Sequence, residues 1–466
     1  MQFNSTLFLF FVLPLTVIVH TLLRKTRLQN IWLLLISLLF FGWCSPKGLA
    51  FLLVYALCNY TIARLMTFSP NRRTLQVTIG VLMDLGLLFV YKYFNFAASV
   101  ANQFLGTQFG ILKLVQPMGI SFLTFTAIAY VVDVYRGKAA PITKFNDFLL
   151  YLAFFPKAAQ GPITRVNDFT ATLAPRNPSV DAIAAGLRRF IIGLAKKCLI
   201  ADVLGKSVDL VFTNLTDGIS CATAWIGILY YTLQIYYDFS GYTDMAIGIG
   251  QMLGFSLPEN FRAPYRSLSV SEFWRRWHMT LGSWFREYLY IPLGGNRKGL
   301  FRTFVNLGVV WLATGIWHGA AYNYILWGVY YGILVMTEKA IANTKFYKSL
   351  PRPVKWSYTF LAVVFGWVMF RCGSLADIAH YFSTMFCINA GQHIMYGTEF
   401  YFDLPSLLAF VPGLILLFPC PAKFSGLSQR STAVYWIKNL ALVLLLMLSI
   451  IFMVNSSYTS FIYFQF

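Results

Sequence analysis

The chain has 466 residues, 58% of them hydrophobic and 18% aromatic, with charged residues held to 12%. A water-soluble fold of this size cannot hide that much apolar surface, which excludes a soluble globular domain. The formal charge of +20 could suggest nucleic acid, but the way Lys and Arg are distributed argues against it.

Apolar runs at Leu7–Leu23, Ile31–Trp43, Leu49–Met66 and Leu440–Val454 reach or approach the ~20 residues that span a bilayer. The first run lacks the charged start and small-residue cleavage site of a secretory signal, so it reads as a retained helix. The first five spans are expected near 5–23, 29–45, 48–66, 74–91 and 117–135. Basic residues fall in alternate loops between them: Arg24, Lys25 and Arg27, then Arg64, Arg72 and Arg73, then Arg136, Lys138 and Lys144. That alternation is the positive-inside pattern, with the amino terminus outside and the basic loops in the cytoplasm. Membrane topology therefore accounts for the charge.

Beyond residue 135 the pattern turns irregular. Phe145–Pro162 is apolar but broken by Pro156, Gly161 and Pro162, and broken backbone at membrane depth survives only where protein or water covers it. A re-entrant element is expected there. Asp181–Phe212 carries Arg188, Arg189, Lys196, Lys197 and Lys206, too many for lipid exposure, and is expected to run along or obliquely into the cytoplasmic interface. Ala222–Phe255 is expected to hold a long span and a second half-helix, because Asp238, Gly241 and Asp244 interrupt its centre. Glu259–Arg302 contains eight Lys or Arg residues and is expected to be cytoplasmic or interfacial. Later spans are expected near 303–320, 322–337, 356–370, 404–419 and 436–454.

The expected architecture is thus all-α and polytopic, with about eleven transmembrane helices plus in-plane and re-entrant pieces. With no soluble domain, linker or repeat, residues 1–466 read as one transmembrane domain. Its parts are N-terminal spans over 1–135, a core over 136–320 and C-terminal spans over 321–466. Of seven cysteines, Cys44, Cys58, Cys198, Cys221 and Cys420 read as small apolar residues. Cys372 and Cys387 fall in the longest outer loop and could pair, separate thiols being the commoner outcome.

Two histidines lie in apolar settings where an ionisable group is costly and marks a functional candidate. On a helix over Glu272–Leu289, Trp274, Trp277, His278, Leu281, Phe285 and Tyr288 share one face. A hydrogen-bonded structural histidine on an interfacial helix is the commoner meaning of such a face. His318 sits sixteen residues past Arg302, the basic end of its span, hence ~24 Å along a helix and deep in the bilayer. A neutral imidazole there can take a proton from an attacking hydroxyl; a histidine bonded between helices is the alternative. Asp238, Tyr242 and Asp244 could orient a histidine or a substrate hydroxyl, or equally cap a helix break. Asp84, alone in a span, is expected to pair with a neighbouring helix. Tyr288–Lys298 is a glycine turn without nucleotide-fold spacing. With Arg262, Arg266, Arg275, Arg276 and Arg286 it makes a cytoplasmic site for an anionic acyl donor plausible, a lipid-headgroup anchor being the competing reading. No Gly-x-Ser-x-Gly elbow and no metal-ligand spacing occur.

Taken together, these residues resemble the membrane-bound O-acyltransferase family, in its bacterial alginate O-acetyltransferase branch. The resemblance covers nearly the whole chain. It rests on Pro117–Phe125, Phe154–Ile163, Asp238–Ile247, Phe273–His278, Tyr290–Lys298, Trp317–Gly319 and the terminal Phe461–Phe466. One departure is Lys157-Ala-Ala-Gln160, where many relatives have Gln-Leu-Ile-Ala or similar. The resemblance implies a ring of helices around a thinned centre with a funnel from each side. It implies that His318 is catalytic and His278 essential or supporting, with Trp317 beside it and Tyr242, Asp244 or Asp238 positioning partners. It further implies acetyl-CoA as donor substrate at Arg275, Arg276 and Arg286, no separate cofactor or metal, and no nucleic acid. The acceptor would be an exopolysaccharide such as alginate or cellulose, reached through a periplasmic acetyltransferase partner. The competing readings are D-alanyl transfer from a carrier protein and, in a different class, a transporter or export scaffold whose histidines relay protons.

Overall fold

Long apolar runs become helices here because a backbone out of water must satisfy its polar groups within its own segment. The computed structural model describes residues 1–388, 394–418, 432–456 and 458, and among them no strand occurs. Five helices are long and apolar enough to cross a membrane: Pro46–Phe68, Pro70–Leu105, Gly299–His318, Arg352–Arg371 and Thr432–Asn455. Shorter apolar helices are Phe8–Leu22, Leu28–Cys44, Ile120–Tyr135 and Leu404–Leu416. Their outward faces keep large apolar side chains exposed, among them Phe11, Leu22, Leu82, Val309 and Trp436, as a lipid-facing surface requires. Cys420 and the terminal Phe461–Phe466 motif lie outside the described residues.

The described residues pack as two compact units. The first holds Met1–Phe190 with Tyr242–Glu259, and the second holds Ile191–Gly241 with Asn260–Ile462. In the first, Asp84 is fully buried and accepts a hydrogen bond from Asn59 Nδ2 at 3.0 Å, joining neighbouring helices as expected. The Phe145–Pro162 segment is a broken element, with a helix over Phe145–Ala153, a kink at Phe154 and one turn over Phe155–Ala158. Residues 148–163 are buried throughout, so protein covers the interrupted backbone.

Two expectations are corrected. Residues Cys221–Met252 form a single uninterrupted helix of 32 residues, not a span followed by a half-helix. Asp238 and Asp244 do not break it, because each carboxylate is met by a cation: Asp238 by Lys197 at 2.6 Å and Asp244 by Arg189 at 2.9 Å. The reading of these acids as caps falls with the break. Nor is Glu272–Leu289 one helix. It divides into Val270–Arg276, Met279–Phe285 and a π-helical turn over Arg286–Tyr290.

Candidate active site

The division at Trp277-His278 is built by neighbouring chain. Ser269 caps the Val270–Arg276 helix, its Oγ accepting from the Glu272 amide at 3.0 Å while Glu272 takes the Leu268 amide at 2.9 Å. The buried Glu338 carboxylate accepts from the amides of Val270 (2.5 Å) and Ser271 (2.8 Å) and from the Ser271 hydroxyl (2.7 Å). That places a negative charge at the electropositive helix start. At the other end Asn260 takes the chain over. Its carbonyl accepts from the Met279 amide at 3.0 Å and its Oδ1 from the Thr280 hydroxyl at 2.7 Å. His278 between them is left-handed, with φ 43° and ψ 54°. Such a backbone costs a non-glycine residue about 1–3 kcal/mol and persists only where its surroundings enforce it. The asparagine clamp does so here.

This turn drives the His278 side chain inward, where it is 2% exposed. The ring stands edge-on to Phe239, centroids 4.7 Å apart at 86°, and 6.1 Å from the Trp317 ring. Burial holds its imidazole far below the ordinary histidine value of 6.5, at about 3. At neutral pH it is an uncharged donor–acceptor.

His318 is the last residue of the Gly299–His318 helix and is 3% exposed. Its ring is walled by aromatic groups: Trp317 at 4.9 Å, Trp327 at 4.9 Å and Phe370 at 5.1 Å between centroids. The wall forms because Gly299–His318 crosses Tyr322–Ile341 with backbones nearly touching. A Cβ on Gly328 would stand 2.5 Å from the Trp311 carbonyl oxygen and 3.2 Å from Gly315 Cα. Only glycine fits at that crossing, and its absence of side chain brings Trp327 against His318.

Both histidines line one cavity of about 600 Å³ within the second unit, together with Arg275, Arg286, Trp274 and Tyr290. The size suits a substantial organic ligand. Its wall combines aromatic surface, two guanidinium groups and two imidazoles, a set able to hold an anionic molecule and move a proton beside it. Arg276 is not among the lining residues. It is turned to Glu272, whose Oε1 accepts from it at 2.7 Å, and to the Arg262 carbonyl at 3.3 Å. Trp317 sits beside both imidazoles without lining the cavity.

Asp238, Tyr242 and Asp244 do not line it either. Asp238 belongs to a buried cluster in which Lys197 Nζ reaches Asp238 at 2.6 Å and Asp202 at 2.7 Å. In the first unit, Asp244 and Glu259 share Arg189, at 2.9 and 2.6 Å. Tyr242 stacks on Phe3, ring centroids 4.9 Å apart. These three read structurally as supports of helix packing rather than parts of the cavity wall.

The sequence profile of the membrane-bound O-acyltransferase family matches residues 140–379, which include every residue lining the cavity. A probable alginate O-acetylase of Pseudomonas putida is 37% identical over 100% of both chains. The chain belongs to the membrane-bound O-acyltransferase family. A probable alginate O-acetylase of Pseudomonas aeruginosa is 39% identical over 84% of this chain and 76% of its own. A peptidoglycan O-acetyltransferase of Helicobacter pylori is 33% identical over 100% of this chain and 97% of its own. This kinship makes the chain a multi-pass membrane protein and an O-acetyltransferase.

Within this family member, Asn260 and Glu338 fix the two ends of the Val270–Arg276 segment that leads into the histidine turn, and neither carries a local sequence signal for that role. Asn260 lies eighteen residues before His278 in a segment of loop composition, and nothing local marks it as a clamp. Glu338 did leave a trace, as an acid at the end of an apolar run. Periodicity puts Trp274 on an apolar face but gives no sign of the aromatic box it forms with Trp311, Trp327, Tyr331 and Trp367.

Proposed function

We propose that this enzyme transfers an acetyl group from cytoplasmic acetyl-CoA toward a hydroxyl of an exported cell-envelope polysaccharide, alginate and cellulose being the leading candidates. The observation that carries the reading is the shared cavity: two buried imidazoles and two guanidinium groups on one apolar wall. Arg275 and Arg286 receive the donor's phosphates, for which planar guanidinium groups are suited. His318 accepts the proton of the attacking hydroxyl as its oxygen bonds to the acetyl carbonyl carbon. The carbon–sulfur bond then breaks and the thiolate leaves. His278, uncharged, donates to or orients the reacting groups, and Trp317 packs against both rings. The acceptor at this stage is a separate periplasmic acetyltransferase or its polymer. The chain lies in the bacterial inner membrane with its amino terminus periplasmic and its basic loops on the donor side.

Transfer from acetyl-CoA by purified protein in liposomes, read by release of free thiol, tests this. His318→Ala at normal protein level is expected to lower the rate at least ~100-fold, the usual contribution of a positioned general base. Full activity of that variant would overturn the role of His318. A D-alanylated carrier protein as the preferred donor would replace acetyl-CoA; a teichoic acid D-alanyltransferase of Bacillus subtilis is 26% identical over 67% of this chain. A protein that moves substrate with no thioester cleavage would instead be a transporter.

A further inference from the structure

Cys221 opens the Cys221–Met252 helix, and Cys387 lies just beyond the Leu375–Met385 helix; both belong to the second unit. The two elements are closely fastened. Tyr381 Oη donates to the Ala224 carbonyl at 2.8 Å, and Trp225 Nε1 to the Met385 carbonyl at 2.9 Å. Cys221 Sγ shares that acceptor, 3.1 Å from the Met385 oxygen. The chain then turns back: the Cys387 amide donates to the Thr384 carbonyl at 3.1 Å and Ile388 to Ser383 at 2.8 Å. Cys387 takes a left-handed φ of 55°, two residues beyond the Met385 carbonyl that Cys221 Sγ meets. Cys372, the other cysteine the sequence allows to pair with Cys387, is buried at the end of Arg352–Arg371, and Cys221, Cys372 and Cys387 are all free thiols in this structure.

Which compartment holds this end follows from charge. Arg352–Arg371 begins among Lys345, Lys348, Arg352 and Lys355 and runs away from them to Cys372. In the orientation given under the proposed function, on which this inference rests, that basic end faces the cytoplasm and Cys387 faces the oxidising side.

We propose that Cys221 and Cys387 are joined by a disulfide in the mature protein. The oxidant is a protein thiol–disulfide oxidoreductase. One thiolate attacks its disulfide, the second cysteine resolves the mixed disulfide, and the oxidoreductase leaves carrying two electrons and two protons as a dithiol. The new bond fastens the start of the long 221–252 helix to the end of the 375–385 helix and closes a long loop of the unfolded chain.

Intact cells are treated with a membrane-impermeant maleimide without reductant, and the protein is then digested and mapped by mass spectrometry. A linked peptide pair, lighter by two hydrogens than its free thiols, with neither cysteine labelled until reductant is added, is the expected result. Cys221→Ser then exposes Cys387 to the reagent, whereas Cys372→Ser changes nothing. Labelling of both thiols on intact cells without reductant overturns the proposal. Labelling only after permeabilisation, again without reductant, overturns it together with the membrane orientation. Acetyl transfer and its dependence on His318 would stand untouched in that case.

Discussion

His278 enters the cavity on a backbone that histidine seldom adopts, and its ring is neutral because burial disfavours the charged form. Its folded value, about 3, lies below the 6.5 of an unfolded chain. Between those values the unfolded state binds a proton that the folded state refuses, so stability is full above pH 6.5 and falls as pH falls toward 3. At about 1.4 kcal/mol per unit, the loss reaches several kcal/mol. Asn tolerates the left-handed backbone and carries no titrating ring. Thermal unfolding of solubilised His278→Asn between pH 7 and 4 is therefore expected to show a shallower acid slope than the parent. The arginines divide equally sharply. Arg286→Ala is expected to raise the KM for acetyl-CoA roughly tenfold, the value of one charge-assisted hydrogen bond. Arg276→Ala is expected to leave it within about twofold, since Arg276 is turned to Glu272 and does not line the cavity. Steady-state kinetics on the two variants checks both.

At the scale of elements, the crossing at Gly315 and Gly328 sets how near His318 stands to its aromatic wall. Gly328→Val must push the two helices apart, because its Cβ would meet backbone rather than a mobile side chain. A loss of about 1–3 kcal/mol is expected from such overpacking, together with reduced turnover, read by thermal unfolding and by the transfer assay. The helices themselves are legible in the hydropathy of the sequence. The helix Ile120–Tyr135 falls within the apolar run 117–135 and Gly299–His318 overlaps the run 303–320, because membrane insertion selects on hydropathy over a local window. The break at His278 was not legible. Its spacing fits a continuous amphipathic helix, and what overrides that periodicity is Asn260, a partner invisible to any local pattern. The same holds for the 221–252 helix. Asp238 and Asp244 look like interruptions until the cations that meet them, Lys197 and Arg189, are known.

At the scale of the whole molecule, buried charge is the costliest item in a fold made largely of apolar helices. Lys197, 1% exposed, is held by two carboxylates within the second unit. Lys197→Met would strand both acids and is expected to destabilise by about 3–5 kcal/mol, since a broken buried pair leaves charge uncompensated. Adding Asp238→Asn should recover part of that loss; fluorescence-detected thermal unfolding in detergent measures each. Of the candidate site, the histidines were conspicuous because ionisable groups stand out in apolar sequence. Their convergence on one cavity was not, since His278 and His318 lie forty residues apart on different elements.

The π-helical turn at Arg286–Tyr290 carries a consequence of its own. Such a turn holds one residue more than an α-helical turn, and each residue advances a helix by about 100°. Arg286 and Tyr290, at its two ends, both reach the cavity wall. Losing a single codon here would swing everything downstream through a quarter-turn and point one of them elsewhere. Descent is therefore held to the length of this stretch as firmly as to the two side chains at its ends.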